Sequence, residues 1–518
     1  MSDPDPQTEL RLVGPWDRRE IGRLPAATAA AAAAAVATAR AAQPEWAALS
    51  FAERGKKLLA VRDRFAARAE EIVDLLVREN GKPSVEAWFS EIIPDLDLFA
   101  YWAKNAEKML RTEKVGLDRL KFPGKKARVR LVPKGVVAVV SAWNYPVALA
   151  LRAIVPALMA RNTIVFKPAT DAMLVGHLLA SCFTEVLPEG VLVPVLGPGA
   201  VGSAIIEVGV DHLVFIGGVA VGREVAALAG RHFTSCALEL GGKDAAIVLA
   251  DADMDRTVEG IAWGAFTNGG QNCASIERLL VHESIAGEFL GRLVGRTQAL
   301  RVCQGAPEGS DVGPLRNAGQ LRAVAAQVED AVAKGAKVLC GGMPVGDGFG
   351  FLPTILTDVT DAMAVWNEET FGPLLPVRRF TGADEAVRLA NANRYGLTNS
   401  VWTRDRAAGG QLAERLECGI VTINNHAFSA SIPSVPWGGT KWTGMGSTNS
   451  RHALAEMVRP QLVLSDKPTG HEPWWYPYDE VNLTLARALP RFVTAKKGML
   501  KVLGLLRRAG RPRPAGPA

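Results

Sequence analysis

Between Gly135 and Ile216 the chain alternates short apolar runs with segments of helical length. The runs are Gly135-Val136-Val137-Ala138-Val139-Val140, Asn162-Thr163-Ile164-Val165-Phe166, Val191-Leu192-Val193-Pro194-Val195-Leu196 and His212-Leu213-Val214-Phe215-Ile216. They have the length and texture of strands covered on both faces. Strands separated by helices pair in parallel through right-handed crossovers, which gives a doubly wound, Rossmann-like α/β sheet. Such sheets bind ligands at the carboxyl ends of their strands, so chemistry is expected directly after each run. A second alternation opens at Ala245-Ala246-Ile247-Val248-Leu249 and continues to about Thr440, a second α/β domain without internal repeats.

Ahead of the sheet, Ala26 to about Met109 reads as helical from its three- and four-residue apolar steps, and Ala127-Arg128-Val129-Arg130-Leu131-Val132 alternates as a strand does. The stretch Ala26 to Ala39 is nearly all alanine, too weakly apolar for a bilayer span, and is expected to be a surface helix. Hydrophobic residues at 48% and charged residues at 22% exclude a disordered chain, and 518 residues allow two or three domains. The start, Met1-Ser2-Asp3-Pro4-Asp5, lacks the basic and apolar regions of a secretory signal, so a cytoplasmic location is expected.

The six cysteines (Cys182, Cys236, Cys273, Cys303, Cys340, Cys418) have no metal-ligand spacing and read as free thiols, with no metal site. The net charge of +6 is not evidence for a nucleic-acid partner. Nine basic residues and no acid lie between Leu485 and Ala518, which leaves the rest of the chain at about −3.

Six segments carry candidate chemistry. Ser141-Ala142-Trp143-Asn144-Tyr145-Pro146 follows a strand and can aim the Asn144 amide at a developing oxyanion. Lys167 follows the next strand, where a cation can meet a ribose or phosphate. Phe215-Ile216-Gly217-Gly218-Val219-Ala220-Val221-Gly222 is a glycine-bearing strand-to-helix turn suited to a pyrophosphate. In Leu238-Glu239-Leu240-Gly241-Gly242-Lys243, burial of Glu239 would raise its pKa and suit it to activate water. Asn268-Gly269-Gly270-Gln271-Asn272-Cys273 reads as a loop entering a helix, with Cys273 near the helix start and its thiolate favoured by the dipole. Asn367-Glu368-Glu369-Thr370-Phe371-Gly372-Pro373 offers an acid and an aromatic for a ribose and a nicotinamide ring. Each segment also has a purely structural reading.

In this order, with 23 residues from Asn144 to Lys167, 95 from Asn144 to Glu239 and 34 from Glu239 to Cys273, the segments resemble the aldehyde dehydrogenase superfamily. Tyr395 to Val401, Gly419 to Asn424 and Pro436 to Lys441 extend the resemblance, which covers roughly Arg40 to Ser465. It implies an NAD(P)-binding domain (1–118 and 135–241), a catalytic domain (242–445), and a bridging oligomerisation hairpin (119–134 and 455–466) pairing Lys126 to Val132 with Val458 to Ser465. It also implies a homodimer or homotetramer that oxidises an aldehyde with NAD or NADP.

By the resemblance Cys273 is the nucleophile, Asn144 and the Cys273 backbone N–H hold the oxyanion, and Glu239 activates the hydrolytic water. Lys167 would contact the adenosine ribose, Gly217 and Gly222 would shape the pyrophosphate turn, and Glu369 and Phe371 would meet the nicotinamide end. Ser141, Trp143, Thr170, Gly199, Gly218 and Val221 are assigned to the same cofactor site. Thr170 stands where many NAD-preferring members carry a glutamate, which leaves NADP feasible. Ile216 and Gly218 replace a common Thr and Ser.

The aldehyde is expected to be aliphatic or aromatic and apolar. Arg152 matches a carboxylate-binding arginine of succinate-semialdehyde dehydrogenases, the alternative reading, but their second arginine is Thr267 here. Trp263 and Phe266 would either line an apolar tunnel or fill a core. A non-catalytic binding protein on the same fold is a further alternative, against which Cys273, Asn144 and Glu239 all stand intact. The extension 467–518, with Pro473-Trp474-Trp475-Tyr476-Pro477-Tyr478 and a basic amphipathic segment, suggests either peripheral membrane contact or packing on a partner subunit, with Arg511 to Ala518 disordered. The architecture is similar to the membrane-associated extension of fatty aldehyde dehydrogenases.

Overall fold

A computed structural model describes residues 9–119, 122–302, 309–495 and 499–509. Cys303 and Arg511 to Ala518 lie outside them. The described chain forms two compact units, one of Met1–Leu110 with Val132–Arg459 and one of Arg111–Leu131 with the residues from Pro460 onward.

The larger unit is built on two sheets. In the first, the order is Gly444–Met445, Ser235–Glu239, His212–Ile216, Val136–Val140, Thr163–Lys167, Leu192–Pro194. All pairs are parallel except the first. The chain steps outward from Val136–Val140 to Leu192–Pro194, then returns to the other side of Val136–Val140 with His212–Ile216. That reversal is a topological switch point, and it opens a crevice between the ends of those two strands. The four apolar runs are therefore the parallel strands read from the sequence.

The second sheet runs Lys337–Cys340, Thr354–Thr357, Leu374–Phe380, Ile276–His282, Asp244–Val248, Thr398–Trp402, Ile420–Ile423, parallel apart from its first pair. Successive residues of Asp244–Val248 face opposite layers: Ala245 and Ile247 pack in one apolar cluster, Ala246 and Val248 in the other. Burial on both faces is why this strand lacks a polar alternation. Gly444–Met445, counted above with the second α/β domain, pairs with Glu239 and Leu238 of the first sheet.

The alanine stretch becomes the helix Ala29–Ala48, capped by the Thr28 hydroxyl on the Ala31 N–H. It is not simply a surface helix, because Ala32, Ala35, Val36 and Ala39 are buried in the core of the first sheet. Small side chains let the helix backbone come close enough for Thr163 Oγ1 to donate to the Ala39 carbonyl at 2.8 Å. An antiparallel pair, Glu9–Val13 with Glu20–Pro25, precedes it and gave no apolar signal in the sequence. Two π-helical turns, Leu76–Asn80 and Trp88–Ile92, interrupt the helices that follow.

In the smaller unit, Lys126–Pro133 lies between Val458–Ser465 and Glu113–Val115, so the expected hairpin has a third strand. The extension folds into helices Glu480–Ala495 and Met499–Ala509, packed through Leu485 and Val502 with Val481, Ala488, Leu489, Leu505 and Leu506. Much of the apolar character that suggested a lipid-facing helix is consumed in this pairing. Trp474, Trp475, Tyr476 and Tyr478 remain more than half exposed. Among the described residues no helix is long and apolar enough to cross a membrane.

Candidate active site

The helix Met254–Phe266 ends in a tight turn, Thr267–Gly270, in which Asn268, Gly269 and Gly270 take φ of 53°, 64° and 70°. Cys273 follows this turn and leads into the strand Ile276–His282. It is therefore not at a helix start, and the expected dipole stabilisation of its thiolate is absent. The left-handed residues reverse the chain too sharply for a helix to continue. Burial, and next the nearby Glu239 carboxyl, push the Cys273 thiol well above its ordinary pKa. At rest it is a thiol, donating weakly to Asn272 Oδ1 at 3.8 Å.

A buried polar net joins this turn to Asn144. The Asn144 side chain donates one N–H to the Gln271 carbonyl at 3.2 Å, and the Asn144 backbone carbonyl accepts from Asn268 Nδ2 and Lys82 Nζ, each at 3.0 Å. Gln271 in turn donates to the Asn268 and Pro314 carbonyls and accepts from the Arg316 N–H. Lys82 is wholly buried, ion-paired to Glu91 at 2.6 Å, and 3.6 Å from the centre of the Tyr145 ring. Glu91, in a π-helical turn, also accepts the Val147 N–H at 2.8 Å. Lys82 and Glu91 were missed in the sequence, where a lone lysine after a glycine reads as surface.

Glu239 ends its strand half-buried, accepting from the Thr448 hydroxyl at 2.9 Å. Burial raises its pKa to about 7, against the pull of Thr448 and Arg152. Glu369 bends over the Gly241-Gly242 backbone and accepts the Gly242 N–H at 3.1 Å. A Cβ on Gly241 would sit 2.1 Å from the Glu369 carboxyl, so only glycine allows this approach. Burial, then the Glu277 charge, raises Glu369 to about 8. Glu277, also missed, accepts from the backbone N–H groups of Thr370 (2.7 Å) and Phe371 (2.8 Å) and pairs with buried Lys243 at 2.7 Å. This fixes Phe371 at φ 50° with its ring edge-on to Trp143, centroids 5.3 Å apart.

Lys167, Gly199, Phe215 and Val221 line a cavity of about 550 Å³ beside the switch point. Lys167 is 3% exposed, donates to the Pro168 carbonyl, has no acidic partner among the described residues, and is lowered by burial to about 8. A buried cation without a counterion suits an anionic or hydroxylated ligand. Gly218 caps the helix Val219–Arg231 and Gly222 packs that helix on Leu240, where a Cβ would meet the leucine at 2.5 Å. The hydroxyl of Ser141, buried at the adjoining strand end, has no partner. Thr170 donates to the Gly197 carbonyl at 3.3 Å. These groups fit a dinucleotide laid across the switch point.

On its other side Cys273 opens into a cavity of about 360 Å³ lined by Val85, Phe89, Leu149, Trp263, Phe428 and Trp437, among others. Trp263 lines it and is half exposed, whereas Phe266 is buried in the core of the second sheet. Arg152 also lines the cavity, 8% exposed, with no hydrogen bond or ion pair among the described residues. Thr267 donates to Glu86, a further lining residue that burial raises to about 7. No cluster of potential metal ligands occurs among the described residues.

Residues 2–463 match the sequence profile of the aldehyde dehydrogenase family. Over 496 residues the chain is 36% identical to 4,4'-diapolycopene aldehyde oxidase of Methylomonas sp, covering 95% of this chain and 93% of that one. It is 36% identical over 464 residues to a putative succinate-semialdehyde dehydrogenase [NADP(+)] of Mycolicibacterium smegmatis, covering 88% of each. The crystal structure of Mycobacterium tuberculosis aldehyde dehydrogenase complexed with NAD+ superposes with a TM-score of 0.84 at 33% identity, over 90% of this chain and 97% of that one. Fold and matches together define an NAD(P)-dependent oxidoreductase acting on aldehydes. The chain belongs to the aldehyde dehydrogenase family.

Proposed function

We propose that the protein oxidises an apolar aliphatic or aromatic aldehyde to its carboxylic acid through a thioester on Cys273. The observation that carries this reading is that Cys273 lines a cavity with mostly apolar walls, beside the Trp437 that neighbours the Glu239 partner Thr448. Cys273 gives its thiol proton to solvent in the cavity, the thiolate adds to the carbonyl carbon, and the carbonyl oxygen takes the electron pair as an oxyanion. The second N–H of the Asn144 amide and the Cys273 backbone N–H hold that charge. Losing one such donor typically costs about 3 to 4 kcal/mol of transition-state stabilisation. A bound nicotinamide supplies the hydride acceptor, leaving a thioester. Glu239 then takes a proton from water, the water oxygen attacks the thioester, and the C–S bond breaks to return the thiolate.

Ser141, Trp143, Lys167, Thr170, Gly199, Gly217, Gly218, Val221 and Gly222 would line the dinucleotide site, with Glu369 and Phe371 at its nicotinamide end. The unpaired Arg152 favours a second reading, an aldehyde carrying a distant carboxylate. Against it, Glu86 in the same cavity occupies Thr267 and would repel that group. Absorbance at 340 nm with NAD or NADP and a panel from succinate semialdehyde to decanal and benzaldehyde separates the readings. Reduction is expected with apolar aldehydes and not with Cys273→Ala; a preference for succinate semialdehyde would transfer the assignment. No reduction by folded protein with any pair would overturn the dehydrogenase mechanism.

We also infer that the extension binds an anionic lipid surface. Four exposed aromatics beside a segment with nine basic residues and no acid complement such a surface in both polarity and charge. The enzyme would act as a homodimer or homotetramer in the cytoplasm, against the inner face of the membrane.

A further inference from the structure

The Glu239 carboxyl accepts a hydrogen bond from a side chain more than 200 residues away, Thr448. Thr448 is 4% exposed and held by an isolated antiparallel bridge. Its N–H donates to the Trp437 carbonyl at 2.7 Å, and its carbonyl accepts the Trp437 N–H at 2.8 Å. The Trp437 indole N–H lies within electrostatic reach of the same carboxyl and is a buried donor with no hydrogen-bond partner among the described residues. One bridge thus presents two donors to Glu239, one closed and one open. The charged groups that also act on this carboxyl are Arg152, from the helix Ala148–Met159, and the Cys273 thiol.

We propose that Thr448 and Trp437 form a two-donor dock that holds Glu239 as a carboxylate in its water-activating stance. Thr448 is a positioning residue, acting through Glu239 and not on the substrate. Donors aimed at a carboxylate favour its charged form and offset burial. The open indole donor gives the carboxylate a second partner once it has lost its proton. The proposal rests on the reading of Glu239 as the base that hydrolyses the thioester.

The test is the decay of acyl-Cys273, followed by quenched-flow mass spectrometry from pH 6 to pH 9 in the full-length protein. Wild type, Thr448→Val, Thr448→Ser and Glu239→Gln are compared. Removing the Thr448 hydroxyl takes away a donor that favours the carboxylate, so the acid limb of hydrolysis shifts to higher pH by about one unit. Thr448→Val should then hydrolyse about tenfold more slowly at pH 6 and match wild type at pH 9. Thr448→Ser should restore the wild-type profile, and the rate of thioester formation should be unchanged in both Thr448 variants. A uniform loss at every pH, or an unmoved limb, overturns the dock. If Glu239→Gln hydrolyses the thioester normally, the reading of Glu239 itself fails. If Glu239→Gln is slow and Thr448→Val unchanged, only this proposal fails.

Discussion

The Cys273 thiol is kept protonated by burial and by the Glu239 carboxyl, and Glu239 is raised to about 7 by burial. Burial disfavours the charged form of both groups. Glu239 must be the carboxylate to accept a proton, so thioester hydrolysis should rise as pH passes through about 7 and level off above it. Glu239→Gln should remove that rise, cut turnover by about 10²- to 10⁴-fold, and leave acyl-Cys273 detectable in a stopped reaction. Candidate residues were legible where an apolar run announces the strand beside them, as Val136–Val140 does for Asn144 and Thr163–Lys167 for Lys167. Thr448, Lys82, Glu91 and Glu277 were not, since their roles depend on partners far away in the sequence. The local setting of Cys273 was misread for a related reason: glycines at a left-handed turn and glycines ahead of a helix look alike in one dimension.

The loop Glu369 to Phe371, proposed above to meet the nicotinamide end, is held by the buried Lys243–Glu277 pair. Breaking one side of a buried pair leaves an uncompensated charge and costs about 3 to 5 kcal/mol. Lys243→Met should therefore lower the melting temperature by several degrees and weaken cofactor binding, as read by calorimetry and by NAD titration; an unchanged melting point would show the pair to be dispensable. Four parallel strands of the first sheet and Asp244–Val248 of the second could be read from apolar runs that need no polar face. The pair Glu9–Val13 and Glu20–Pro25 could not, because it is mostly exposed and rich in charge. The π-helical turns add single residues to otherwise regular helices, a change that periodicity does not register.

At the scale of the whole molecule, the α/β class follows from the alternation alone, whereas the helical extension shows how composition can mislead. Leu485 and Val502 turn inward with Val481, Leu489, Leu505 and Leu506, while Leu483, Val493 and the aromatic turn stay exposed. The full-length protein should pellet with phosphatidylglycerol vesicles at low salt and release at high salt. Chain truncated after Ser465, or with Trp474 and Trp475 changed to Ser, should remain in the supernatant; pelleting of the truncated form would place the contact elsewhere. The path of the backbone has a consequence of its own. The chain leaves the first sheet at Glu239, builds the second sheet, and comes back at Gly444 to pair with Glu239. The second domain is thus threaded between two neighbouring strands of the first. During synthesis Glu239 exists some two hundred residues before its neighbour Thr448 emerges, so this contact cannot form until nearly the whole larger unit has been made.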